Sequence, residues 1–117
     1  MRHALLLLVL AAALAAATAS SAATPKLTGV VGPGFTMTLK QGGRVVKTLK
    51  AGSYTIAVSD KATIHNFHLF GPGVKRATTV PFTGTKTWTV KLVAGTHTYQ
   101  CDPHASAGMK GRLKVTG

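Results

Sequence analysis

Three side chains that bind soft metal ions lie close together near the end of the chain. Cys101, His104 and Met109 offer a thiolate, an imidazole and a thioether, and His65 followed by Asn66 lies upstream. Two imidazoles and a thiolate with a weak, long thioether contact form the ligand set of a blue-copper site, because the soft thiolate favours Cu(I) while imidazole also accepts Cu(II). These side chains together predict one type 1 copper ion.

The spacing Cys-x2-His-x4-Met indicates a tight loop. Pro103 fixes one φ angle in it, and Gly108 permits an unusual one. Taken singly, a cysteine or a methionine is more often a core hydrophobe than a ligand. Their joint occurrence at this spacing favours the metal site.

Two segments resemble the copper loop and the upstream ligand strand of the cupredoxins, in the plastocyanin and pseudoazurin branch: C-D-P-H-A-S-A-G-M-K-G and I-H-N-F-H. The resemblance covers roughly the mature chain. It implies His65 and His104 as nitrogen ligands, Cys101 as the thiolate and Met109 as the axial sulfur. It also implies that Asn66 ties the two ligand loops together by hydrogen bonds, a contact that orients ligands and tunes a metal's potential.

Two other histidines compete for the upstream ligand position. Alternation along a strand places His65 on the face opposite to Asn66 and His68, which favours His65. His97 has no cysteine or carboxylate at ligand spacing, so we expect it to be structural or solvated.

The same resemblance implies a docking surface for redox partners. In the family, the histidine of the copper loop exposes its ring edge through an apolar patch. Ile64, Ala105, Ala107 and Gly108 match that rim. Small apolar residues there would permit close approach with short residence.

Residues 1–23 have the pattern of a secretory signal peptide. Arg2 is followed by an apolar run and then by small residues, with cleavage after Ala19 or Ala23 fitting the usual rule. The apolar run is short for a span of about 20 residues, which disfavours a permanent membrane anchor. The single cysteine, Cys101, is the odd thiol that a secreted protein keeps as a metal ligand or a reactive group. We expect a secreted, periplasmic or otherwise extracytoplasmic protein in which residues 24–117 form a plastocyanin-like blue copper domain.

The mature stretch predicts an all-β fold, a cupredoxin-like Greek-key β-sandwich of about seven to nine strands, because short Thr- and Val-rich runs alternate with Gly and Pro. Strict alternation places Trp88, Val90 and Leu92 in the core. Candidate strands are 26–31, 35–40, 44–47, 53–58, 63–70, 78–82, 86–92, 96–101 and 111–116. The ligands should meet at one end of this sandwich.

The chain is strongly basic, with 14 Lys and Arg against two acids. Loss of Arg2 leaves a charge of about +11, and such a field steers encounters with anionic partners. An acidic redox donor and acceptor, and association with the anionic cell envelope, are both expected; a merely solvated sheet surface is the alternative. The signal peptide and the lack of interleaved aromatic and basic residues argue against nucleic acid, and we expect a monomer.

The sequence lacks the residues that enzymatic copper sites require. A multicopper oxidase needs His-x-His motifs and a His-Cys-His segment, whereas Gln100 and Asp102 flank Cys101, and a binuclear centre needs a second cysteine. Two acids also leave little for paired-carboxylate catalysis. The sequence predicts a non-enzymatic carrier of single electrons; the alternatives are an envelope protein that holds and delivers Cu(I) without redox turnover, and a cationic adhesion module with an empty site.

Overall fold

A computed structural model describes residues 12–13 and 23–117. The predicted signal peptide, residues 1–23, lies almost wholly outside the described residues. The described chain forms ten strands and one short 3-10 helix. The strands are β1 (Lys26–Val31), β2 (Met37–Gln41), β3 (Arg44–Val45), β4 (Thr48–Lys50), β5 (Gly52–Asp60), β6 (His68–Gly71), β7 (Val74–Ala77), β8 (Gly84–Leu92), β9 (Gly95–Gln100) and β10 (Lys110–Thr116).

The strands form two sheets of five, in the orders β3-β2-β1-β5-β8 and β4-β10-β9-β6-β7. β1 runs parallel to β5 and β10 runs parallel to β4, while the other pairs are antiparallel. The all-β sandwich is confirmed. It has one strand more than the nine candidates, because β4 and β7 were not predicted whereas the candidate 78–82 is not a strand.

The core lies between the two sheets and follows the predicted alternation. Trp88, Val90 and Leu92 are buried, whereas the intervening residues of β8 are exposed. Across the core, the ring of Phe67 stacks on Tyr99 with 5.7 Å between centroids and 3° between planes. This packing supports the sheet ends that carry the candidate ligands.

The predicted strand 63–70 is wrong over its first half, since β6 begins only at His68. Here side-chain oxygens, and not the carbonyls of a neighbouring strand, accept from the backbone. The Ala62 N–H donates to Asp60 Oδ1, and the Phe67 N–H donates to the Thr78 hydroxyl. His65, Asn66 and Phe67 are consequently all buried. Strand alternation therefore does not separate His65 from Asn66.

The predicted strand 78–82 is also wrong. Thr78 donates its N–H to the Phe67 carbonyl, and the Phe82 N–H closes a turn on the Thr79 carbonyl. Pro81 has no N–H to offer a sheet. The hairpin partner of β6 is instead β7, which the sequence patterns did not reveal.

Within the described ranges, 12–13 and 23–117, no helix has the length and apolar character needed to cross a membrane.

Candidate metal centre

One end of the sandwich gathers the loops that carry the predicted ligands. The segment between β9 and β10 forms a 3-10 helix, Asp102–Ala107, with Pro103 in its first turn and Gly108 at φ 96° after it. The Cys101 N–H donates to the Met109 carbonyl over 3.0 Å, and the Met109 N–H donates to the His104 carbonyl over 3.2 Å. The loop thereby folds back on itself and brings Cys101 next to Met109.

Three donor atoms converge at this end of the fold. His65 Nδ1 and His104 Nδ1 lie 3.0 Å apart, and Cys101 Sγ lies 3.6 Å from the former and 3.4 Å from the latter. His65 and Cys101 are completely buried, whereas His104 is partly exposed. Among the described residues this is the group of histidine, cysteine and carboxylate side chains that could hold a metal ion.

The triangle has the size that a metal ion requires. Donors at about 2.0 Å (nitrogen) and about 2.3 Å (sulfur) from one ion would have to lie within about 4.0 to 4.3 Å of one another. The sides of the triangle, 3.0 to 3.6 Å, satisfy this requirement. Two imidazoles with one thiolate are also the donor set that favours copper.

Met109 completes the predicted set by position. It is 3% exposed, and its backbone bonds both Cys101 and His104. The structure thus brings together His65, Cys101 and His104 by their donor atoms, with Met109 buried at the end of the same loop.

Asn66 joins the two ligand segments directly. Its Nδ2 donates to Asp102 Oδ2 over 2.9 Å and to the Thr78 carbonyl over 3.3 Å, while its Oδ1 accepts the Asp102 N–H over 2.7 Å. The Asp102 carboxylate also accepts bonds from His68 Nδ1 and Gln100 Nε2. Burial acts to raise the pKa of Asp102, but the bonds from Gln100, Asn66 and His68 outweigh it, so the pKa lies below the ordinary aspartate value.

The two competing histidines lie elsewhere. His68 Nδ1 is 2.9 Å from Asp102 Oδ1, and the ring points to this carboxylate. His97 is buried, with its Nε2 2.8 Å from the Val93 carbonyl and its Nδ1 without a partner among the described residues. His97 is therefore structural and not solvated.

Phe35 is a contact that the sequence patterns missed. Its ring meets His104 and His65 edge-on, with centroids 4.9 and 5.3 Å apart, although its side chain is 65% exposed. Ile64 is 50% exposed, and Ala107 and Gly108 are exposed while Ala105 is partly so. Phe35 was predicted only as the first residue of the candidate strand 35–40, and the Gly-Pro-Gly sequence before it is typical of a turn but identifies no partner for the ring.

Comparison with known proteins connects this geometry to a sequence family. A sequence model of the copper-binding proteins of the plastocyanin/azurin family matches residues 35–116. No curated protein sequence is significantly similar to the chain.

Solved structures share the fold at low identity. Rusticyanin from Thiobacillus ferrooxidans is 24% identical, with 82% of this chain and 79% of that chain covered and a TM-score of 0.53. Another structure of the copper protein rusticyanin is 20% identical, covers 82% and 80%, and has a TM-score of 0.61. Dithionite-reduced auracyanin from the photosynthetic bacterium Roseiflexus castenholzii is 18% identical, covers 82% and 100%, and has a TM-score of 0.58.

Proposed function

Because the chain belongs to the plastocyanin/azurin family of copper-binding proteins and copper is its cofactor, we propose that it carries single electrons between redox partners. The observation that carries the proposal is the triangle of two imidazole nitrogens and one thiolate sulfur, with sides of 3.0 to 3.6 Å. Copper bound there supplies one-electron chemistry between Cu(I) and Cu(II). The protein is proposed to be a carrier and not an enzyme.

His65, His104 and Cys101 are the three strong ligands in this proposal, and Met109 is the weak axial one. The fold holds these residues in place: His65 and Cys101 are completely buried, and the backbone bonds between residues 101, 104 and 109 close the loop. Donors that hardly move suit an ion that must change its charge with little rearrangement. This rigidity favours electron transfer over release of the ion.

Electrons would enter and leave through the partly exposed ring of His104. Phe35 meets this ring edge-on, and the exposed or partly exposed residues Ile64, Ala105, Ala107 and Gly108 are proposed to complete an apolar docking rim with it. Lys61 and Lys110 are exposed at the strand ends on the same side of the fold. Acidic redox proteins are therefore the proposed donor and acceptor, met by a monomeric carrier.

The proposed site of action is outside the cytoplasm. Residues 1–23 are proposed to be a signal peptide removed after Ala19 or Ala23, leaving the copper domain, residues 24–117, either secreted or in the periplasm. Complete burial of Cys101 would protect its thiol from oxidation in such a compartment.

Titration of the purified protein with Cu(II), followed by visible absorption and voltammetry, tests the proposal. We expect an intense thiolate-to-copper band that disappears on reduction, a reversible one-electron wave with the metal retained, and no such band in Cys101→Ser. Met109→Leu should shift the potential, whereas Met37→Leu, a matched change in β2, should not. A colourless protein that binds only Cu(I) would contradict electron transfer and favour copper delivery.

A further inference from the structure

Asp102 makes four hydrogen bonds beside the metal centre, three through its carboxylate and one through its backbone N–H. Its Oδ2 accepts from Asn66 Nδ2, and its Oδ1 accepts from His68 Nδ1 and Gln100 Nε2, each over 2.9 Å. Its backbone N–H donates to Asn66 Oδ1 over 2.7 Å. One residue thus joins β6, β9, the copper loop and the segment that carries His65.

This arrangement fixes the amide of Asn66 in one orientation. Asn66 is 4% exposed, and Asp102 holds its amide at both the oxygen and the nitrogen. Because Asn66 follows His65 directly, a fixed Asn66 restricts how far the His65 ring can turn or withdraw. Hydrogen bonds from residues behind the ligands determine the orientation of metal ligands.

The same arrangement fixes a negative charge beside the thiolate. Asp102 follows Cys101 directly, and three N–H donors stabilise its carboxylate in the charged form. Copper held by these ligands would supply one-electron chemistry between charges of +2 and +1. A nearby anion stabilises the more positive ion more strongly, so it opposes reduction.

We propose that Asp102 is a positioning residue of the copper site and that its fixed carboxylate lowers the reduction potential. The inference rests on the proposed electron-carrier function for its potential, but the positioning part concerns the metal-free protein as well. The Asp102 side chain is 44% exposed, so water screens part of its charge. We therefore expect an effect of about three- to tenfold on the ratio of Cu(II) to Cu(I) affinity, and not several orders of magnitude.

Asp102→Asn is the decisive variant, because it removes the charge and keeps the shape. The new amide can still accept from Asn66, and Gln100 can turn its own amide to match. The ratio of Cu(II) to Cu(I) affinity should fall about three- to tenfold. A tenfold fall corresponds to a rise in reduction potential of about 59 mV. Asp102→Ser, which also removes the charge, should raise the potential in the same direction and serves if Asp102→Asn does not fold.

Lys91→Gln is the matched control, since it changes the net charge by one at the end of β8 that lies away from the copper loop. Its potential should equal that of the wild type. Equal potentials for wild type, Asp102→Asn and Asp102→Ser, or a fall in either variant, would overturn the charge effect.

Positioning is read separately in the metal-free protein, by NMR of the side-chain amide of Asn66. The amide proton that Asn66 donates to Asp102 should be protected from solvent exchange in the wild type and in Asp102→Asn, and should lose that protection in Asp102→Ala, whereas the proton donated to the Thr78 carbonyl keeps its partner. Unchanged protection in Asp102→Ala would overturn the positioning role. A wild type without a blue band would defeat the proposed function while leaving this measurement valid, so the two failures are distinguishable.

Discussion

Phe35 shows how one exposed side chain can serve a buried centre. Its ring covers the imidazoles of His65 and His104 from outside while most of its own surface stays in water. Since it buries little of itself, its contribution to folding is small. We infer from its two edge-on contacts that it keeps water and competing ligands away from the imidazole rings.

Phe35→Ala should therefore loosen the copper site and leave stability nearly unchanged. We expect removal of Cu(I) from the reduced protein by a chelator to become about tenfold faster, as for other residues that support metal ligands. Stopped-flow absorption measures this rate. Val45→Ala is the matched control, because Val45 is 50% exposed in β3; equal rates for both variants would refute the shielding role.

Asp60 gives the fold a pH dependence of its own. Its side chain is 2% exposed, and burial raises its pKa although the Ala62 N–H, His65 and the Thr78 hydroxyl oppose the shift. Above the ordinary value of 3.8, the unfolded chain loses this proton while the folded chain keeps it. The free energy of unfolding then falls as the pH rises, until Asp60 ionises in the folded state as well.

Asp60→Asn should remove this dependence. The difference in unfolding free energy, variant minus wild type, should increase with pH from about 4 upward and then level off. Denaturant titrations of the metal-free proteins between about pH 4 and 7 measure it. Asp102, with its lowered pKa, contributes the opposite slope in both proteins and cancels; a difference that stays flat would show that Asp60 is not the cause.

The strands are predictable where buried and exposed side chains alternate. They are not predictable where side chains, and not a neighbouring strand, form the hydrogen bonds of the backbone. β1 has the predicted bounds, 26–31, and the inward residues of β8 are those that alternation gives. The segment before β6 fails because the Thr78 hydroxyl and the Asp60 carboxylate take backbone N–H groups there, and the segment after β7 fails because Phe82 closes a turn on Thr79. The bond from Phe67 to Thr78 joins residues that are 11 positions apart, so no local pattern announces it. The bond from Ala62 to Asp60 is local, of the kind that aspartate makes in turns.

The metal centre was more predictable than the strands around it. The spacing of Cys101, His104 and Met109 lies within one loop, and a loop that short leaves few ways to place three donors. Phe35 and the bonds of Asp102 to His68 and Gln100 could not be predicted, since they depend on how separate elements pack at the end of the sandwich.

Gly111 marks a point where β10 lies close against the core. A Cβ atom there would overlap the ring of Tyr99, which is itself stacked on Phe67. Gly111→Ala should therefore lower the free energy of unfolding by about 1 to 3 kcal/mol. Gly34→Ala is the control: no heavy atom lies within 4 Å of its Cβ position, so its change should stay within about 0.5 kcal/mol. Similar unfolding curves for the two variants would contradict this packing.

The whole molecule is a cation whose charges the fold leaves uncompensated. Apart from Arg2, every lysine and arginine lies in the described chain. Within residues 12–13 and 23–117, the Asp102 carboxylate bonds His68, Gln100 and Asn66 and forms no salt bridge with a lysine or arginine, and Asp60 is buried. Neither aspartate therefore neutralises a lysine or an arginine, and their field is available to a partner.

Ionic strength should consequently control how fast the reduced protein is oxidised. With an anionic oxidant such as ferricyanide, the second-order rate should fall about tenfold or more between about 10 mM and 500 mM salt, because salt screens the attraction. With a cationic cobalt complex it should rise. Stopped-flow kinetics at several salt concentrations measure both, and two flat profiles would exclude steering by the surface charge.

The hairpin of β9 and β10 has an evolutionary consequence. Gln100 pairs with Lys110, so the loop that carries Cys101, His104 and Met109 starts and ends at a single rung of the ladder. A loop of another length could be exchanged at this rung without shifting the register of either strand. A change of this loop can thus alter the chemistry of the metal centre, while the β-sandwich and the segment around His65 keep their structure.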